Sequence, residues 1–207
     1  MILINVIKAV KNKFLDFLYY ARAEILTILG DIKYFRFPFF IVYDPNSFKI
    51  KGHQYYSIAK HIKEGDVLLR RYDSYIDRFF IPGWWNHAGI YKGGENYEVV
   101  HAIAEGVKIE TLFDFCKTDH IILLRPKFKV DYIEFSKKIV SLMERNTQYD
   151  FAFNFEDPTN LSCTEVIYYF YKNHDSGIEL STVLGKKVLP PDNIIKGNFE
   201  KILEYKN

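Results

Sequence analysis

Cys163 is the residue best placed for chemistry. It sits in Asn160-Leu161-Ser162-Cys163-Thr164-Glu165, where apolar spacing at Val166, Ile167, Phe170 and Tyr171 begins a helix. Ser162 is a good N-cap, and Glu165 follows it by three residues, as in a capping box. A thiol in the first turn meets unpaired N–H groups and the positive end of the helix dipole, both of which favour the thiolate. The thiolate is the species that attacks a carbonyl, so this position suits nucleophilic catalysis. A cysteine is also commonly a small buried hydrophobe, and Cys116 is expected to be one. It lies in Leu112-Phe113-Asp114-Phe115-Cys116, with no cap.

A nucleophilic thiol needs a base, and six histidines compete for the role. His53, His61, His120 and His174 have no distinguishing context. His87 opens the strand-like HAGIY directly after the aromatic turn Pro82-Gly83-Trp84-Trp85-Asn86. His101 lies in YEVVHAI, beyond the turn pair Gly93-Gly94. A hairpin there makes the two strands antiparallel and the two imidazoles cross-strand neighbours. One ring can then face the thiol while the other orients it.

The elements that must hold these residues follow from periodicity. Strands are expected at 67–72, 87–91, 97–103 and 120–126, with a short piece at 107–110 and a helical ETLFDFC after it. Tyr132, Phe135, Ile139 and Leu142 repeat at helical spacing, and a second helix follows Ser162. Short clustered strands flanked by helices give an α+β fold with a mostly antiparallel sheet. Among 207 residues, 28 Lys and Arg against 26 Asp and Glu exclude a global basic field, so no nucleic-acid partner is expected. Two cysteines cannot build a disulfide framework or a four-thiolate zinc site. No His/Cys/Asp cluster has ligand spacing, and Gly93-Gly94 is a turn rather than a phosphate loop. Neither a metal nor any other cofactor is expected.

The first thirty residues carry Leu3, Ile7, Val10, Phe14, Phe17, Ala21, Ile25 and Ile28 in steps of three or four, with Gly30 as the stop. Such a stripe most often packs on a core or a partner subunit. Residues 1–51 hold eight Lys and Arg against four Asp and Glu, so the helix also suits an anionic membrane surface. Residues 34–50, with two prolines and many aromatics, read as an extended arm. No window of about 18 uncharged apolar residues exists, and no cleavable signal is evident, which points weakly to a cytoplasmic or membrane-associated location. The chain divides into a helix and arm at 1–50 and a catalytic domain at 51–207.

In order along the chain, several pieces resemble a known family. They are Glu64-Gly65-Asp66-Val67-Leu68-Leu69, Ile81-Pro82-Gly83-Trp84-Trp85-Asn86-His87-Ala88-Gly89-Ile90-Tyr91, Val99-Val100-His101-Ala102 with Gly106-Val107, Leu124-Arg125-Pro126, Tyr149-Asp150 and Ser162-Cys163-Thr164-Glu165-Val166. Together they are similar to the permuted papain-like amidases of the NlpC superfamily, in the YiiX/YaeF-like branch. Lecithin:retinol acyltransferase-like proteins are more distant relatives. The resemblance covers about residues 64–171. It implies a circularly permuted papain-like fold, with His87 as general base and Cys163 as nucleophile. It also implies that His101 stands in the orienting position, where the closer branch commonly has Glu. A neutral imidazole there supplies no negative charge.

The expected function is a thiol hydrolase that cleaves an amide in a cell-wall peptide-like or N-acyl substrate through an acyl-enzyme. Tyr149, Trp84 and Trp85 are candidates to line the cleft, or equally to pack in the core. The rival readings are lipid ester hydrolysis or acyl transfer at a membrane surface, and a ligand-binding protein that keeps the fold without turnover. Asn160-Leu161-Ser162 also matches a glycosylation sequon, but a sugar there would obstruct Cys163.

Overall fold

The computed structural model describes residues 48–73, 82–151, 153, 155, 159–183 and 186–207, strands 32–34 and 41–43, and helical positions 8, 10, 11, 13, 14 and 17. The remaining positions of the N-terminal stripe, its stop at Gly30, and Ile81 before the aromatic turn lie outside the described residues. Val10, Phe14 and Phe17 of that stripe are 63%, 59% and 65% exposed, so these three do not pack on the core. Across the start of the stretch expected as an extended arm, β1 (Ile32–Tyr34) pairs antiparallel with β2 (Ile41–Tyr43).

The elements that follow are α1 (Gly52–His61), β3 (Val67–Arg71), β4 (His87–Gly93), β5 (Glu98–Ile103), β6 (Gly106–Thr111), α2 (Leu112–Phe115) and β7 (His120–Pro126). After them come α3 (Tyr132–Glu144), α4 (Cys163–Tyr171), β8 (Ser181–Val183), β9 (Lys186–Val188), α5 (Pro191–Lys196) and β10 (Phe199–Lys206). Six strands form one sheet in the order β10-β7-β3-β4-β5-β6, with every neighbouring pair antiparallel. The fold is therefore mixed, with a mostly antiparallel sheet that helices cover.

Strand alternation divides the sheet between two cores. Val67, Leu69, Ala88, Ile90, Val100, Ala102, Ile122 and Leu124 face Phe135, Ile139 and Leu142 of α3 and Val166, Ile167 and Phe170 of α4. Leu68, Tyr91, Val99, Ile121 and Leu123 pack with Ile58 of α1, Leu112 and Phe115 of α2, and Cys116. Burial on both faces explains why β3 and β7 read as nearly continuous apolar runs rather than as alternating ones.

Two of the motif pieces prove to be a single lock. The buried carboxylate of Asp66 accepts from Arg125 Nε at 3.0 Å and Nη2 at 2.8 Å, and from the Lys63 N–H at 2.8 Å. The Tyr171 hydroxyl donates to the carbonyl of Gly65. The start of β3, the end of β7 and the end of α4 are tied together in this way.

Candidate active site

Cys163 is the first residue of α4. Glu165 Oε2 accepts from the Ser162 N–H at 2.7 Å, which is the Glu165 half of the capping box expected from the sequence, while the buried Ser162 Oγ has no hydrogen-bond partner among the described residues. The pairing of β4 with β5 ends at Gly89–His101. Beyond that point the N–H groups of Ala88, of Thr164 and of Cys163 itself favour the Cys163 thiolate. The thiol therefore stands where the two strands part, against the residue next to His87.

Its protonation departs from the helix-start expectation. Burial disfavours the charged form and pushes the Cys163 thiol up to about 11, although the three N–H groups and the charge of Arg70 oppose this. Desolvation outweighs the helix terminus, and at neutral pH Cys163 rests as a thiol. Cys116 is buried in the second core and is pushed up further, to about 12.

His87 and His101 meet directly, with His87 Nε2 2.9 Å from His101 Nδ1. They are diagonal rather than directly opposed, because His101 pairs with Gly89 and His87 with Arg70. Burial holds His87 well below the usual histidine range, helped first by the charge of Arg70 and then by the neighbouring His101. Burial, Arg70 and Lys108 bring His101 down to about 3. Both rings are therefore neutral at pH 7.

Three residues that sequence reasoning missed surround the pair. Phe115 lies against both rings, with centroids 5.8 Å from His87 and 5.5 Å from His101. Arg70 stacks its guanidinium 4.2 Å over Phe115 and bonds Glu110 Oε1 at 3.1 Å. Glu110 Oε1 also lies 3.4 Å from His101 Nε2. The glycine of H-x-G-I-Y has its reason here. A Cβ on Gly89 would stand 2.6 Å from Phe115 Cε2 and 2.8 Å from Val99 Cγ1, so only glycine lets Phe115 reach the histidines.

The candidate cleft aromatics lie elsewhere. Trp85 is buried in the first core, and Trp84 packs against it while Arg71 and Lys206 stack on its ring. The backbone N–H groups of both tryptophans are held by Asp192 Oδ2, at 2.9 Å and 3.0 Å. Gly83 permits that wrap, since a Cβ there would sit 2.2 Å from the same oxygen at a φ of +108°. Tyr149 packs on the core edge beside Phe151. The cleft that does open at Cys163, about 120 Å³, is walled by Pro82, Phe153, Val183, Val188, Leu189 and the Pro190-Pro191 pair, with Thr164 beside the thiol.

A sheet whose histidine strands precede the helix that carries the cysteine defines a permuted papain-like fold. Residues 61–201 match the family model of the permuted papain-like amidase enzymes, YaeF/YiiX, C92 family, and the chain belongs to that family. Its function is accordingly of the cysteine hydrolase, amidase kind. No curated protein sequence matches this chain. Among solved structures it is similar to the metalloprotein yiiX from Escherichia coli O157:H7, at 15% identity and a TM-score of 0.56, over 70% of this chain and 98% of that one. That likeness is one of fold. Among the described residues no three His, Cys, Asp or Glu side chains are grouped to hold a metal ion, and the facing nitrogens of His87 and His101 are committed to each other. The described residues therefore do not fit a metal centre.

Proposed function

We propose that this protein hydrolyses an amide whose acyl group is apolar, with Cys163 as nucleophile, His87 as general base and His101 as its orienting partner. The observation that carries this reading is the Cys163 thiol in an apolar cleft at the start of α4, where the N–H of Ala88, the residue next to His87, favours its thiolate. His87 Nε2 is engaged with His101, which leaves Nδ1 for the thiol proton. As the proton moves to His87, the sulfur adds to the carbonyl carbon and N–H groups at the helix start hold the oxyanion. His87 then protonates the leaving nitrogen, the C–N bond breaks and a thioester remains. Water that has given its proton to His87 adds to the thioester, and the proton returns to sulfur as the acid leaves.

The cleft walls set the acyl group. Among the described residues no charged side chain lines the cleft, so the carboxylates of a cell-wall peptide would meet no cation among them, whereas an alkyl chain would exchange water for Val, Leu and Pro. Turnover of the p-nitroanilides of acetic, butyric and octanoic acid tests this. Each methylene that enters the cleft is worth about 0.8 kcal/mol, so kcat/KM should rise roughly fourfold per methylene until the cleft is full. Val183→Asp, at a partly exposed wall position, should flatten that rise while leaving the acetyl rate in place. Equal rates along the series, or a preference for a carboxylate-bearing peptide amide, would overturn the acyl assignment.

A further inference from the structure

The orienting histidine lacks the charge that a carboxylate would bring, and the next strand carries one. The turn after β5 sets Ile103 opposite Gly106 and His101 opposite Lys108. Glu110 follows Lys108 by two residues, so it projects from the same face of the sheet as His101. Its Oε1 lies 3.4 Å from His101 Nε2 and 3.1 Å from Arg70 Nη1. His101 is fully buried, and its Nε2 has no hydrogen-bond partner among the described residues, so the approach of Glu110 is what that nitrogen has.

The tautomers follow from this order. If His87 Nδ1 is to accept the thiol proton, Nε2 must carry hydrogen and donate to His101 Nδ1. A neutral His101 that accepts at Nδ1 carries its hydrogen on Nε2, where it points towards Glu110. We propose that Glu110 is a positioning residue for the histidine pair, one that fixes the tautomer of His101 and supplies the negative charge that stabilises the His87 imidazolium as Cys163 attacks. The inference rests on the Cys163–His87 reading above. The contact is long at rest and shortens once positive charge reaches the pair.

The charged and titratable groups around the pair give the sign of the effect. Arg70 on β3 and Lys108 on β6 oppose an imidazolium, Cys163 lies on α4, Cys116 follows α2, and Asp114 of α2 acts on Glu110. Among the described residues Glu110 is therefore the carboxylate that offsets Arg70 beside the rings. Its removal leaves Arg70 uncompensated and makes the imidazolium harder to form.

The test is the pH profile of kcat/KM for octanoyl p-nitroanilide in the wild type, Glu110→Gln, Glu110→Asp and Cys163→Ala. Glu110→Gln should lose about tenfold at pH 7, the scale of one lost charge-assisted contact, and its acid limb should move to lower pH. Glu110→Asp keeps the charge and should recover most of both. The histidine ring nitrogen signals should report His101 as the Nε2–H tautomer in the wild type and a changed distribution in Glu110→Gln. A Glu110→Gln profile with an unmoved acid limb, whether or not its plateau falls, would overturn the positioning role. Full turnover by Cys163→Ala would instead overturn the site reading on which it rests.

Discussion

Replacing His87 with alanine is expected to lower kcat/KM on octanoyl p-nitroanilide by roughly 10²–10⁴-fold at pH 7, the range for loss of a positioned general base. The protonation states make the prediction specific. With the thiol pushed up to about 11, only about one Cys163 in ten thousand is a thiolate at pH 7. The wild type avoids that penalty because a neutral imidazole takes the proton during attack. Since His87 is held well below the usual histidine range, the base form persists on acidification, and the wild-type profile should stay level through that range. Without the imidazole, the rate must follow the thiolate fraction. The His87→Ala profile should therefore climb about tenfold per pH unit from neutrality towards about 11. A variant whose profile stays flat and high would remove His87 from the chemistry.

The second large effect is on stability. Arg125→Ala strips the cation from Asp66, which is 1% exposed and accepts both arms of the guanidinium. Breaking a buried pair from one side costs about 3–5 kcal/mol, because the remaining charge is stranded. Arg125 is itself 24% exposed, so the lower end applies here. Burial already raises the Asp66 carboxyl above its usual value against the pull of Arg125, and loss of that pull raises it further. A carboxyl with a raised folded pKa disfavours folding as pH rises through it, so the deficit of Arg125→Ala should shrink on acidification. Asp66→Asn combined with Arg125→Ala should restore much of the stability. Urea unfolding at pH 5 and pH 8 measures the wild type and both variants, and a pH-independent loss below about 1 kcal/mol would contradict the lock.

Much of this arrangement is legible in the sequence because local physics writes it there. HIILLRP and VLLRR are apolar enough to announce buried strands, and Ser162 with Glu165 marks the start of α4. What escapes reading depends on partners distant in sequence. Glu110 and Arg70 look like ordinary surface charges until the register of β5 with β6 and of β3 with β4 is known. The hairpin turn at 104–105 was the one signal that could have brought Glu110 to His101. The strand β10 carries a bulge between Lys201 and Leu203, which breaks its alternation, and α1 buries only Gln54 and Ile58, too few to show a stripe. The thiol shows the same limit. Its helix start is a local feature, whereas the burial that outweighs it is a property of the whole fold.

The central claim is that Cys163 carries the acyl group during turnover. Intact-protein mass spectrometry after rapid acid quench of a reaction with p-nitrophenyl octanoate tests it most directly. The account predicts one octanoyl adduct per chain, mapped to the Cys163 peptide, released by hydroxylamine and absent from both Cys163→Ala and the Cys116 peptide. Hydrolysis that continues undiminished in Cys163→Ala, with no adduct on the wild-type thiol, would contradict it.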